Sequence, residues 1–227
     1  MQDPDANPFN VLPPVVIALA VVIFGLEVMF QAATAGFLGG QAGVGWRLAA
    51  IGDYGVLNDV VDWMLANTSY PPEHLVRFVT YPLIHAGMIH AVFVVVFILA
   101  IGKMVAEVFS PLAFVAVFLV SAIAGALGFT LLLDSPYPLI GGYPAVYGLI
   151  GAFTFLLWAD LAAHGANRFR AFALIAALLA IQILFGVIDG DFGNVVANLC
   201  GFVAGFLMSF VVSPGGWQRV LAKLRRR

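Results

Sequence analysis

Few side chains in this chain could do chemistry. Only 10% of its residues are charged. The stretch with the most chemical promise is Pro138-Leu-Ile-Gly-Gly-Tyr-Pro-Ala-Val-Tyr-Gly-Leu-Ile-Gly151, a glycine-rich turn running directly into an apolar helix that continues to about Trp158. A helix start leaves unpaired N–H groups, and glycine lets a backbone turn tightly beside them. In a hydrolase such a turn presents a nucleophile next to a ready oxyanion site. The residue in the nucleophile's place is Tyr143. A phenol ordinarily titrates near about 10 and is bulkier than a serine hydroxyl, so it is a poor acyl acceptor without strong activation.

Other groups offer alternatives. The serines, Ser69, Ser110, Ser121, Ser135, Ser209 and Ser213, all lie outside the turn. Ser135 sits in the loop before it, so a relocated Ser135–His90 nucleophile–base pair stays open. His85 and His90 as metal ligands fit one helical face poorly, and no third ligand is visible, so no metal site is expected. Their plainer reading is hydrogen-bonded structure at the start of the second apolar run. Glu27, inside the first run, is either hydrated or bonded to a neighbouring helix near the outer interface, or a functional carboxylate. The one cysteine, Cys200, excludes an internal disulfide and a cysteine-based zinc site, and reads as a small packing residue. No P-loop, dinucleotide fingerprint or haem-attachment motif occurs, so no cofactor is expected.

The elements that must position these residues are membrane spans. At 227 residues and 63% hydrophobic, with a mean hydropathy of +1.04, the chain reads as a polytopic all-α membrane protein. Apolar runs cover Leu12 to about Gln31, Phe78–Gly102, Pro111–Leu133, Tyr143–Ala163, Ala171–Ile188 and Asn194–Ser213. Six spans put both termini on one side. A single domain over 1–227 is expected, with an N-terminal segment 1–11, a long first loop 35–77 and a basic tail 214–227. The N-terminal segment lacks the basic residues of a cleavable signal peptide.

Within the first loop, Val56, Leu57, Val60, Val61, Met64 and Leu65 recur at helical spacing, with Asn58, Asp59 and Asp62 opposite. That predicts an amphipathic helix in the membrane interface, anchored by Trp46 and Trp63. Lys103, Arg168, Arg170, Arg219, Lys223, Arg225, Arg226 and Arg227 fall on one side and Arg47 and Arg77 on the other, which places both termini in the cytoplasm. The tail suits anionic lipid headgroups. A net charge of −2 without a basic patch argues against a nucleic-acid partner. Small residues recur at helix-contact spacing, at Gly125 and Gly128, Gly148 and Gly151, and Gly201 and Gly205, predicting a tight bundle. No half of the chain repeats the other, which disfavours an inverted-repeat transporter.

Three motifs resemble those of the rhomboid intramembrane serine proteases. Thr80-Tyr-Pro-Leu-Ile-His-Ala-Gly-Met-Ile-His90 is similar to the start of their second span. Gly141-Gly-Tyr-Pro-Ala-Val-Tyr-Gly-Leu-Ile-Gly151 resembles their nucleophile turn, Gly-x-Ser-Gly, followed by the same Ala-Val-Tyr-Gly-Leu-Ile-Gly. Ala197-Asn-Leu-Cys-Gly-Phe-Val-Ala-Gly205 resembles their last catalytic span, Ala-His-x-x-Gly. Arg77 matches the Arg of a Trp-Arg pair, with Val76 for the Trp. The resemblance implies a six-span rhomboid-like bundle with a long interfacial first loop.

The departures fall on the chemistry. By the resemblance, Tyr143 stands for the nucleophile serine, Pro144 for the glycine after it, Asn198 for the base histidine and Val94 for an oxyanion asparagine. Only His85 and His90 remain of the polar set. Asn198 cannot take a proton at neutral pH, Pro144 has no N–H, and Val94 offers no side-chain hydrogen bond. Tyr143 and Asn198 are themselves expected to pair across two helices as a polar plug, so that Asn198→Leu would lower stability. The resemblance thus implies a pseudoprotease that binds transmembrane clients or membrane partners without cutting them. An active peptidase with rearranged residues, or a structural subunit of a larger membrane complex, are the alternatives. Compactness points to a bacterial inner (plasma) membrane.

Overall fold

The computed structural model describes residues 12–189 and 192–214. The N-terminal segment 1–11 and the tail cations Arg219, Lys223, Arg225, Arg226 and Arg227 lie outside the described residues. In chain order the helices are α1 (Pro14–Thr34), α2 (Trp46–Tyr54), α3 (Asn58–Asn67), α4 (Met88–Ala106, with a π turn over Ile98–Gly102), α5 (Pro111–Leu132), α6 (Tyr143–Ala163), α7 (Ala173–Asp189, entered through a 3-10 turn at Arg168–Phe172) and α8 (Gly193–Val212). Short helical turns also occur between α1 and α2 and between α3 and α4.

Six of these, α1 and α4 to α8, are long and apolar enough to cross a membrane. Hydrocarbon offers no partners to backbone N–H and C=O groups, so each spanning run must satisfy its own as a helix. Proline opens three of them, at Pro14, Pro111 and Pro144, where its missing N–H is one of the helix's free donors anyway. The Ser110 hydroxyl caps α5 by accepting the Ala113 N–H at 3.2 Å.

The second span starts ten residues later than the apolar run suggests. Residues 78–87 form a helical turn, a 3-10 turn at Tyr81–Leu83 and an extended link, and the helix begins at Met88. Pro82 cannot donate to a continuing helix. The lead-in is fixed instead by Tyr81, fully buried, whose hydroxyl donates to the Ala122 carbonyl in mid-α5 at 2.8 Å. Burial holds that phenol well above its usual pKa.

The first loop carries α2 as well as α3, which covers most of the stretch read as an amphipathic helix. Between α2 and α3, Val56 and Leu139 exchange backbone hydrogen bonds of 3.1 and 2.8 Å in an isolated antiparallel bridge. Val61 and Met64 of α3 are buried, Trp46 and Trp63 are partly exposed, and Leu65 is exposed. Asn58, assigned by periodicity to the polar face, is buried and donates its amide to the Leu133 carbonyl at 2.5 Å. A tertiary hydrogen bond has overridden the helical period there. Arg77 donates to the carbonyls of Gly52 (2.6 Å) and Gly55 (2.9 Å), satisfying the open end of α2.

The centre of the bundle is α5, α6 and α8. Gly201 lies directly against the Pro144 carbonyl, Gly205 against that of Gly148, and Gly151 against that of Phe202. Gly148 also faces Ser121 of α5, and the Cys200 sulfur covers Gly128. With no hydrophobic drive between helices in lipid, such close approach is what holds them together. Helix α7 lies outside this trio, with Ile181, Leu184, Val187 and Ile188 exposed.

Candidate functional site

The turn before α6 is held by three segments. Gly141 has φ +89°, and a Cβ there would run into the His90 imidazole, so glycine is required twice over. Its N–H donates to the Tyr81 carbonyl at 3.0 Å. The next N–H, of Gly142, donates to His85 Nε2 at 3.4 Å, an acceptance that puts the ring proton on Nδ1. His85 is almost wholly buried. Burial, and then the neighbouring His90, hold its pKa down to about 4, so the ring is neutral.

His90 accepts the Ala86 N–H through Nδ1 at 3.5 Å. Its ring meets His85 edge-on, with centroids 5.0 Å apart, and stacks on Tyr143 at 4.9 Å and 19°. The two histidines are therefore not on one helical face: His85 lies in the extended link and His90 in the first turn of α4. Val94 is buried against Gly142, and Pro144 is wedged between Gly125 and Gly201. Neither brings a side-chain donor to the turn.

The expected hydrogen bond between Tyr143 and Asn198 is not formed. The Tyr143 ring lies flat on His90 of α4, whereas Asn198 projects from α8, and both polar atoms of its carboxamide are buried without a partner. Stacking has drawn the phenol toward the wrong helix for a plug. Ser135 and His90 are not brought together either. The Ser135 hydroxyl accepts the Tyr137 N–H at 3.2 Å in an exposed local turn and lines a separate cavity with Phe192 and Gly193.

Beside the Tyr143–His90 stack opens a cavity of about 820 Å³, walled by Ala86–His90, Phe93, Tyr143, Gln182, Asn194 and Asn198. Gln182 and Asn194 were missed by sequence reasoning. Both carried a signal: Gln182 is a lone polar residue in the apolar run of α7, and Asn194 lies one turn before Asn198 on α8. The sequence weighed Asn198 alone.

Glu27 belongs to a different arrangement. Its carboxylate is 1% exposed and takes a two-pronged hydrogen bond from Arg47 of α2, Nη1 and Nη2 each at 2.8 Å, and a third from Gln31 at 2.8 Å. Arg47 Nη1 also donates to the His85 carbonyl at 2.6 Å, and the guanidinium lies over the Phe30 ring. This is a buried, fully partnered clamp joining α1, α2 and the link before α4. Of the two readings of Glu27, the neighbouring-helix one describes it.

The sequence profile of the Rhomboid domain matches residues 72–215, more than half of the chain. The chain belongs to the rhomboid family. It is similar to a Bacillus subtilis (strain 168) protein named "Putative rhomboid protease YdcA", 28% identical over 135 residues, which cover 60% of this chain and 66% of that protein. It is also similar to an Arabidopsis thaliana protein named "Inactive RHOMBOID-like protein 8", 29% identical over 128 residues, 56% of this chain and 35% of that one. The matched part of this rhomboid therefore spans just under two thirds of the first relative and about a third of the second. One relative carries a protease name and the other an inactive one, so activity has to be argued from the site. An integral multi-pass membrane protein in contact with lipid follows from the six apolar helices and the family.

Proposed function

We propose that this rhomboid binds transmembrane helices or membrane-embedded partners without cleaving them. One observation carries the reading: the side chain presented at the start of α6 is a phenol stacked face to face on His90, with no hydrogen bond to either histidine. Nucleophilic catalysis needs the hydroxyl within hydrogen-bond reach of a base that another group orients. Asn198, on the helix across the cavity, has no titrating group to serve as that base. Tyr143, Pro144, Asn198 and Val94 then occupy the family's catalytic positions without its chemistry, and His85 and His90 serve to shape the turn.

The partner is a membrane protein, either a transient client or a fixed complex subunit. With six spans both ends share a side; the bias of the basic residues supports the cytoplasmic one, and the membrane proposed is a bacterial inner membrane. We read the chain as one domain with its first loop (35–77) in the outer interface, and the basic sequence of the tail suits anionic headgroups.

The test is purified protein in liposomes with a panel of single-span substrates, alongside a serine-reactive fluorophosphonate probe. Neither cleavage nor labelling is expected, while an active rhomboid run in parallel gives both. Cleavage abolished by Ser135→Ala or His90→Ala would overturn the proposal and establish a displaced catalytic pair. Constitutive one-to-one co-purification with one complex would replace client binding by a structural-subunit role.

A further inference from the structure

The cavity beside Tyr143 holds an unusual polar set. Asn198 is 1% exposed, yet its Nδ2 and Oδ1 have no hydrogen-bond partner, and its side chain lines the cavity. Across from it, the buried Oε1 of Gln182 on α7 is also unpartnered. His90 also lines the cavity, but its buried Nε2 lies against Gly141 of the turn. Among the described residues, no Asp, Glu, Lys or Arg lines the cavity.

Unpaired buried carboxamides at membrane depth are costly unless something pairs with them. The groups present define what that is. Asn198 offers donors and an acceptor side by side, and Gln182 an acceptor. A carboxylate would leave the acceptors facing acceptors, and an ammonium would leave the donors unmatched. A neutral carboxamide satisfies both kinds at once, because its own C=O and NH₂ match Asn198 reciprocally.

We propose that this cavity is a recognition site for a carboxamide side chain, an Asn or Gln, carried within the membrane-spanning helix of a client. The inference rests on the helix-binding function proposed above and specifies what is read. A side chain fits the observations better than an unwound backbone. Helical peptide groups are already bonded to one another, and unwinding a stretch would free more donors and acceptors than these two carboxamides can match. The approach is from lipid. Ile89 and Phe93 of α4 line the cavity and are 76% and 54% exposed, and on its α7 side Ile181 and Leu184 flank Gln182 and are exposed as well. A client helix can therefore lie against α4 and α7 with one polar side chain turned inward. Asn and Gln drive helix association in membranes in just this way.

The test uses the full-length protein in liposomes and fluorescent single-span Leu/Ala peptides that differ at one central residue: Asn, Gln, Leu or Glu. A fifth peptide carries a central Gly-Pro break and no carboxamide side chain. Energy transfer is expected to report binding of the Asn and Gln peptides at least about tenfold tighter than the Leu peptide. Asn198→Leu and Gln182→Leu are each expected to close that gap, with a thermal melt verifying that each variant folds. The Glu and Gly-Pro peptides are expected to behave like the Leu peptide. Equal binding of Asn and Leu peptides would overturn the inference while leaving helix binding intact. Preference for the Gly-Pro peptide would replace it with backbone recognition, and preference for Glu would refute neutrality. Failure of every peptide to bind would remove the proposed function beneath it as well.

Discussion

The α6–α8 seam and the cavity between α4 and α7 lie a few residues apart, and they obey opposite rules. Along the seam every position is closed. Backbone lies on backbone at Gly201, Gly205 and Gly151, and there is no room for one additional carbon. Beside it, three buried polar atoms of Asn198 and Gln182 stand without partners around a cavity of about 820 Å³. A chain selected for stability alone would have filled that space with apolar side chains, as it did at Val94 and Pro144. The contrast teaches that packing is complete where it positions the turn and withheld where a second molecule has room to enter.

The sharpest way to break the comparison is at the seam. Gly201→Leu places a side chain into the Pro144 carbonyl, where no flexible neighbour can yield. Overpacking commonly costs about 1–3 kcal/mol and occasionally more, and a clash with backbone lies at the top of that range or beyond it. Loss of the folded protein in detergent extraction and gel filtration is expected; a normal melt would show that the seam is not tight.

Arg47→Leu ranks next. It strands the 1%-exposed Glu27 carboxylate and releases the His85 carbonyl. Removing one partner of a buried pair costs about 3–5 kcal/mol. A large fall in melting temperature is expected, with Glu27→Gln/Arg47→Leu recovering part of it.

Acid acts on the turn through His85. Its folded pKa, near 4, lies below the ordinary imidazole value of 6.5, so the unfolded chain binds the proton first. The stability it contributes is complete above pH 6.5 and is lost as the pH falls from there toward 4. A melting-temperature series across that window is expected to slope downward toward acid, and His85→Gln is expected to flatten the slope. An unchanged slope would show that the neutral ring is not what the turn depends on.

Asn198→Leu gives a smaller effect of opposite sign. Because the carboxamide has no partner, replacing it removes an unsatisfied group, whose desolvation costs about 1–3 kcal/mol. A modest rise in thermal stability is expected. A fall would revive the plug in which Tyr143 and Asn198 bond to each other. Ser135→Ala, in an exposed turn, is expected to leave the melt within about 0.5 kcal/mol of the parent.

These sites differ in how far the sequence revealed them. The six apolar runs were legible because bilayer thickness fixes the length of a span, although α4 starts only at Met88, after a 3-10 turn and an extended link. Glycines such as Gly201 and Gly205 stood out because a missing side chain is visible in sequence. Asn58 misled, since helical periodicity cannot foresee the Leu133 carbonyl that takes its amide. The pairing of Tyr143 misled for the same reason: two polar residues opposite each other in the chain's pattern were assigned to one bond.

By itself, then, the sequence determined what each segment is: its length, its solvent, and the positions where a neighbour can approach. Lipid imposes those choices residue by residue, so they can be read locally. Only the tertiary structure decided which polar group meets which. Tyr143 could reach α4 or α8, and the choice of His90 depends on the extended link that sets the ring beside it. Gln182 joined the cavity because α7, distant in sequence from the turn, lies alongside α8. Hydrogen bonds and stacks are short-ranged and directional, so their partners are fixed by the packing of whole helices and not by spacing along one of them.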